Sequence, residues 1–239
     1  MNDARLKLNK IRDEISLRSA ESRSSYLKLI QQWKDISPNT QSMGCSNVAH
    51  AYAACNKSNP DASKLPMVGV VSSYNDMLSA HAPFQDYPNL LKQYGQELDL
   101  HVQVAAGVPA MCDGITQGEP GMELSLFSRD IIALSTAVGL SHNVFDAAIC
   151  MGTCDKIVPG LMIGALRHGH LPMIFISGGP MATGISNTDK NIKRKAFAAQ
   201  EIDKIELMEV EQAAYHDQGT CTFYGLSLIH ISEPTRQIV

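Results

Sequence analysis

The chain has 239 residues, of which 44% are hydrophobic and 18% charged, and its formal net charge is −4 at pH 7. This length and composition suffice for one large or two small globular domains with a buried core. The negative charge gives no electrostatic case for nucleic acid or an acidic membrane, so neither is expected as a partner. No apolar run approaches the ~18 residues of a membrane span and the polar start lacks an apolar signal core, which predicts a cytoplasmic protein.

The beginning of the chain is predicted to be helical. Residues 3–36 carry apolar side chains at helical spacing and indicate one or two helices. Residues 46–55 predict a short helix that is capped by Ser46 or Asn47. With the polar turn that follows, these elements form an N-terminal helical segment, which we place at residues 1–64.

From residue 65 onward, strand patterns alternate with helix patterns. Such alternation is typical of βαβ units around a mostly parallel sheet, so residues 65–225 are predicted to form an α/β domain with helices flanking the sheet. The predicted strands are 67–74, 100–107, 145–152 and 171–179, and the predicted helices are 84–98, 121–140, 156–169, 188–200 and 205–218.

Polar residues follow each of the four predicted strands. Ligands of such folds bind beyond the carboxyl ends of the strands, so these residues are candidates for a common site. Two of the four groups contain a Cys-Asp pair, which favours a chemical role. The groups are Tyr74-Asn75-Asp76, Cys112-Asp113-Gly114, Cys154-Asp155-Lys156 and Ser177-Gly178-Gly179.

The triplet Cys154-Asp155-Lys156 lies where a strand passes into a helix. A structural interpretation makes it a packed thiol, a helix cap and a surface amine. A functional one starts from the helix N-terminus and the adjacent lysine, which both lower the pKa of a thiol and favour metal ligation. The aspartate could then offer a hard oxygen to a second cation.

The other cysteines, like Cys154, are expected to be reduced thiols or metal ligands. Cys112 is either a packed thiol in a glycine turn or a second part of the site, and Cys221 taken alone is predicted to pack in a loop. Cys150 and Cys55 fit the core, and Cys45 stays undecided. Three separated cysteines that converge from loops would suit an iron–sulfur cluster with one open, Lewis-acidic iron.

Three further features are each more easily explained by structure than by function. His81 follows the first strand, and a structural role is favoured over a catalytic one. The glycine-rich run 177–184 is interpreted as a plain turn rather than as a backbone nest that binds an anion. The basic run 190–195 is interpreted as a solvated helix face rather than as a phosphate site.

Several long motifs resemble the dihydroxy-acid and phosphogluconate dehydratase family. The resemblance covers roughly residues 20 to 225. Within the family, they look most like the branch that acts on 6-phosphogluconate in the Entner–Doudoroff pathway. The motifs are "SYNDMLSAHAPF", "AAGVPAMCDGITQGEPGMELSLFSRDIIA", "VGLSHNVFDAA", "CDKIVPGLMIGAL", "FISGGPM" and "YHDQGTCTFYG".

The resemblance implies a hydro-lyase that removes water from a phosphorylated sugar acid. It implies a [4Fe-4S] cluster, and Cys154 and Cys221 match the family's cluster cysteines. Related branches also bind a magnesium ion, whose ligands match Asp113, Asp155 and Lys156, the lysine being carbamylated in those relatives. A homodimer is expected for the full-length protein.

The sequence departs from the family pattern in two places. Other branches carry a cluster cysteine where this chain has 79–81, so Cys112 becomes the candidate for the third cluster ligand. Residues 226–239 do not resemble the family and are expected to be a disordered, unrelated tail. The chain is therefore expected to be an N-terminal fragment whose catalytic base belongs to the C-terminal half. The alternatives are another dehydratase of the family, or an inactive truncated fragment.

Overall fold

A computed structural model describes residues 2–36, 43–54, 65–182, 184–215 and 217–220. Its centre is a four-stranded sheet in which every strand is parallel, with helices around it. The α/β prediction is therefore confirmed. The strand order is β2-β1-β3-β4, with β1 at Met67–Ser72, β2 at His101–Gly107, β3 at Ala147–Met151 and β4 at Met173–Ile176.

Strand β1 is the inner strand around which the sheet is built. All six of its residues are buried, because it pairs with a strand on each side and has apolar residues packed on both faces. Val68 pairs with Val102 of β2 and with Ala147 of β3. The register with β2 shifts between Val70 and Val71.

Helices α6 (Ser128–Leu140) and α7 (Ile157–Leu166) pack closely against each other beside the sheet. Gly160 and Gly164 lie one turn apart on α7, and a Cβ on either would come within 2.8 Å of Ile132 or Thr136 of α6. The two glycines thus allow a close approach that a larger residue would prevent. The α-helices are α1 Asn2–Arg18, α2 Ala20–Ile36, α3 Cys45–Ala51, α4 Tyr87–Glu97, α5 Asp113–Thr116, α6 Ser128–Leu140, α7 Ile157–Leu166, α8 Asn187–Ala198 and α9 Lys204–Ala214.

The predicted helix at 121–140 is wrong as a single element. A 3-10 turn runs over Pro120–Leu124, and α6 begins only at Ser128. The break has a local cause, because Ser125 is turned inward and its hydroxyl binds Asp113. Boundaries elsewhere differ by a few residues, and β4 is four residues long where nine were predicted.

The N-terminal residues form two helices, and α2 attaches them to the α/β core. The Tyr26 hydroxyl donates to the Leu166 carbonyl at 2.8 Å. The Trp33 ring stacks on His170 with centroids 5.9 Å apart and lies 5.7 Å from the His168 ring. Helix α1 exposes nearly all its side chains.

Within the described residues, no helix is both long and apolar enough to cross a bilayer. Residues 226–239, predicted to be a disordered tail, lie outside the described residues. So do Cys55, which was predicted to pack in the core, and Cys221, which was predicted to lie in a loop or to bind the cluster.

Candidate functional site

The turns after β2 and β3 meet at the carboxyl edge of the sheet. The Lys156 ammonium lies between two carboxylates and contacts Asp113 Oδ2. Asp155 accepts from it at 2.9 Å through Oδ2 and at 3.1 Å through Oδ1. The side chain of Lys156 is only 5% exposed. The structure thus brings together three charged residues of the two Cys-Asp turns, Asp113, Asp155 and Lys156.

Asp113 is held on its other oxygen as well. Ser125 donates its hydroxyl to Asp113 Oδ1 at 2.7 Å. The carboxylate is therefore oriented by one contact from the loop before α6 and one from the turn after β3. Sequence reasoning missed Ser125, although the break in the helical pattern around it was a usable signal.

Burial shifts the pKa values of this charged group. It lowers the pKa of Lys156, while the nearby Cys112 raises it. It raises the pKa of Asp155, against hydrogen bonds from the backbone and the charge of Arg129. Desolvation thus disfavours the charged form of each, while their contact favours it. Lys156 and Arg129 balance the charge of the two carboxylates as long as the lysine is protonated, and a neutral Lys156 would leave an excess of negative charge that suits a cation.

The turn that carries Cys154 packs tightly against the start of α7. Cys154 has φ of +77°, a left-handed conformation that is uncommon for a residue with a side chain. A Cβ on Gly152 would lie 2.5 Å from Leu161 and 2.8 Å from Ile157, so the turn rests directly on α7. Such strained backbone persists only where the surroundings hold it.

His81 supplies part of that support. It is fully buried, and its Nε2 lies 3.0 Å from the Thr153 carbonyl and 3.2 Å from the Thr153 amide nitrogen. Burial lowers the pKa of His81 to about 4, although the bond to Thr153 opposes the shift. The ring is therefore neutral at pH 7. Its engagement with the backbone beside Cys154 agrees with the structural interpretation.

Hydrogen bonds also join the loops after β1, β3 and β4. The Gly178 amide donates to Thr153 Oγ1 at 3.2 Å. The Gly219 amide donates to the Ser79 carbonyl, and the Thr220 amide to the Gly179 carbonyl, both at 2.8 Å. Residues 219 and 220 are thus anchored at the carboxyl edge of the sheet. Cys221 follows directly in the sequence, although it is not itself described.

The described cysteines differ in their surroundings. Cys112 and Cys154 are partly exposed at the carboxyl ends of β2 and β3. Cys150 is buried in β3 as predicted, and burial raises the pKa of its thiol to about 11. Cys45 is exposed at the start of α3.

The donor set can be compared with the implied cofactors. In the described part of the chain, no three His, Cys, Asp or Glu side chains are close enough to hold a metal ion. The cluster proposal, however, involves Cys221, and the magnesium proposal involves a lysine. Two partly exposed thiols in loops at the same edge of the sheet suit iron, and two carboxylates converging on one buried amine suit a hard cation. The residues therefore fit both groups chemically.

Comparison with known proteins gives a consistent family. The family model described as "Dihydroxy-acid/6-phosphogluconate dehydratase N-terminal" matches residues 65–227. The chain is 54% identical to phosphogluconate dehydratase of Pseudomonas aeruginosa over 214 residues, which is 88% of this chain and 35% of that protein. It is 51% identical to phosphogluconate dehydratase of Zymomonas mobilis over 228 residues, 94% of this chain and 37% of that protein.

A relative from another branch is less similar. Dihydroxy-acid dehydratase of Akkermansia muciniphila is 38% identical over 164 residues, 66% of this chain and 29% of that protein. The chain thus spans about a third of the length of the curated relatives it matches.

Proposed function

The chain belongs to the dihydroxy-acid and 6-phosphogluconate dehydratase family, and we propose that the whole protein converts 6-phospho-D-gluconate to 2-dehydro-3-deoxy-6-phosphogluconate and water. The observation that carries the proposal is identity of 51–54% to two phosphogluconate dehydratases across about nine-tenths of the chain. The fall to 38% against a dihydroxy-acid dehydratase favours the phosphorylated sugar acid over the branched-chain acid.

In this proposal, Cys154 and Cys221 hold a [4Fe-4S] cluster and Cys112 is the third ligand. Support comes from the places of Cys112 and Cys154 in the loops that follow β2 and β3 at the same edge of the sheet, and from the anchoring of Thr220 to the loop after β4. When bound, the cluster supplies a Lewis-acidic iron that helps a hydroxyl group leave. The left-handed turn at Cys154, supported by His81 through Thr153, fixes where its thiolate points.

Asp113, Asp155 and Lys156 are proposed to serve a magnesium ion or the substrate. Support comes from the two carboxylates that already face one buried amine. If CO2 added to the neutral amine of Lys156 with loss of one proton, the carbamate would offer further oxygen donors beside Asp113 and Asp155, and a divalent cation held by these groups would balance their negative charge. The lowered pKa of Lys156 favours the neutral amine that carbamylation requires.

The proposed dehydration also needs a base that removes the proton beside the carboxylate. His81 is unsuited to this role, because its ring is fully buried and its Nε2 is engaged with the backbone of Thr153. We further propose a cytoplasmic location, in keeping with reduced thiols, and a homodimeric whole protein.

The proposal is tested by purifying the whole protein without oxygen, reconstituting it with iron and sulfide, and measuring keto-acid formation. We expect turnover of 6-phospho-D-gluconate and little turnover of a 2,3-dihydroxy branched-chain acid. The opposite preference would assign the protein to the other branch. A cluster-loaded protein that acts on neither acid would contradict the proposed reaction.

A further inference from the structure

The basic run on α8 contains one lysine that does not face solvent. Lys193 and Arg194 pair with Glu206 and Glu211 on α9, as a solvated helix face would. Lys190 is only 9% exposed, and its ammonium lies 5.0 Å from the centre of the Tyr215 ring. Among the described residues, the Lys190 ammonium has no hydrogen bond or ion pair, and its contact is with the face of the Tyr215 ring.

A cavity of about 300 Å³ opens beside Lys190. Its walls come from the end of the glycine-rich run, the first residues of α8 and the end of α9, and Thr220 completes them. The lining residues on which the inference depends are Gly184, Ser186, Asn187, Lys190, Tyr215 and Thr220.

The start of α8 adds positive electrostatic potential to this cavity. α8 is 12 residues long, and the first amides of a helix lack partners within the helix and point outward with the positive end of its dipole. Ser186 caps one of them by accepting from the Asp189 amide at 3.1 Å. The amides of Asn187 and Thr188 come before that capped position.

The neighbouring carboxylates make their direct hydrogen bonds to groups other than Lys190. Asp189 accepts the Ser186 hydroxyl at 2.7 Å. The Glu211 carboxylate binds Arg194, and this hydrogen bond is the main reason why its pKa is lowered, while the charge of Lys190 adds a smaller contribution. The Lys190 ammonium has no direct ion pair among the described residues, so it can still contact an anion that enters the cavity.

We propose that this cavity binds the phosphate group of the substrate, with Lys190 as its cation and the first amides of α8 as hydrogen-bond donors. Helix N-termini next to a lysine are an established way to bind phosphate. The cavity adjoins the candidate active site, because Thr220 lines it and is also bonded to the loop after β4. The inference rests on the proposed function, since it assigns one end of that substrate.

The test is calorimetric titration of the 239-residue chain with inorganic phosphate. Lys190→Met should weaken binding roughly 10- to 100-fold, as expected for loss of one charge-assisted contact. Lys190→Arg should bind nearly as well as the native chain. Lys195→Met is the matched control, because it removes an exposed lysine of the same helix and should change nothing. Equal binding by the Lys190→Met and Lys195→Met variants, or no binding by the native chain, would overturn the proposal.

A second measurement does not depend on the variants folding. In the ¹⁵N-labelled native chain, phosphate should shift the amide signals of Asn187, Thr188 and Lys190. Shifts confined to other parts of the chain would overturn the proposal.

The outcome can be separated from that of the proposed reaction. A whole protein that turns over 6-phospho-D-gluconate while Lys190→Met leaves its KM unchanged would sink the phosphate site alone. Phosphate binding at α8 without any turnover by the cluster-loaded protein would sink the proposed reaction alone.

Discussion

The two Cys-Asp turns have the same sequence order but are held in different ways. The turn after β3 is fixed from below: Gly152 lies on α7, Thr153 is bound by His81, and Cys154 takes a left-handed backbone. The turn after β2 is fixed from the side, because Ser125 and Lys156 hold Asp113. Cys112 itself has ordinary extended backbone. The comparison indicates that the β3 turn is the rigid platform and that the β2 turn is aligned to it through Lys156.

The largest expected effect comes from replacing Cys154 or Cys221, the two cysteines that match the family's cluster ligands. Cys154→Ser and Cys221→Ser in the whole protein should each abolish the visible absorbance of the cluster and the activity. A serine hydroxyl is a much poorer iron ligand than a thiolate. Cys45→Ser is the control, because Cys45 is exposed at the start of α3. Full iron content in either variant would mean that the ligand assignment is wrong.

Cys112→Ser examines the other turn. If Cys112 is the third ligand, iron content and activity should fall as they do for Cys154→Ser. A cysteine that merely packs in the loop would instead give normal activity and a loss of ~1 kcal/mol in the free energy of unfolding. Iron analysis and urea denaturation of the same preparation distinguish the two results, and an intact cluster would remove Cys112 from the site.

Removing Lys156 should uncouple the two turns. Lys156→Met leaves two carboxylates facing each other without the buried cation, so the free energy of unfolding should fall by about 2–3 kcal/mol. Lys193→Met is the control, since its pair with Glu206 at 2.7 Å is nearly half exposed and should matter by less than ~1 kcal/mol. Urea denaturation measures the free energy of unfolding of both variants. Equal losses would show that the buried ion pairs of Lys156 contribute no more to stability than the exposed pair of Lys193.

His81→Leu tests the support beneath the platform. The substitution leaves the Thr153 backbone without the buried imidazole nitrogen that it contacts, at a cost of ~2 kcal/mol. Cluster retention should also decline, because the backbone before Cys154 loses a contact. His142→Leu removes a histidine bond to the Gly139 carbonyl away from the site, and it should leave iron content unchanged. A His81→Leu protein with normal stability and iron content would contradict the support role.

The smallest effect concerns the attachment of α2. Burial lowers the pKa of His168 and of His170, so the folded protein holds fewer protons on them than the unfolded chain, whose histidines titrate near pH ~6.5. Their contribution to stability is present above that pH and is lost as the pH falls through the lowered values.

Trp33 reports the change, because it is the sole tryptophan and stacks on His170. Its fluorescence should change between pH 7 and pH 5, and Trp33 should become more accessible to a quencher. His50→Gln alters an exposed histidine and should leave that response as it is. Fluorescence that does not vary with pH would contradict the coupling.

The sequence predicted those parts of the fold that depend on local pattern. The alternation of strand patterns with helix patterns located all four strands, and the rule that ligands lie beyond parallel strand ends grouped Asp113 with Asp155 and Lys156. Contacts between distant residues could not be predicted this way. The bond between His81 and Thr153 joins residues 72 apart, and the break before α6 arises from Ser125 reaching Asp113.

Burial of Lys190 was also beyond local pattern. The run 190–195 predicts a solvated face, and Lys193 and Arg194 conform to it. Lys190 differs because Tyr215, from the end of α9, covers it. Only the packing of the two helices places that aromatic ring over the lysine.

The most direct measurement is a Mössbauer spectrum of the whole protein reconstituted with ⁵⁷Fe, recorded before and after 6-phospho-D-gluconate is added. The account predicts a [4Fe-4S] spectrum in which one iron site changes when the substrate binds, because that iron lacks a cysteine ligand and receives a substrate hydroxyl group. A spectrum without a [4Fe-4S] cluster, or one that stays the same while the acid is bound, would contradict it.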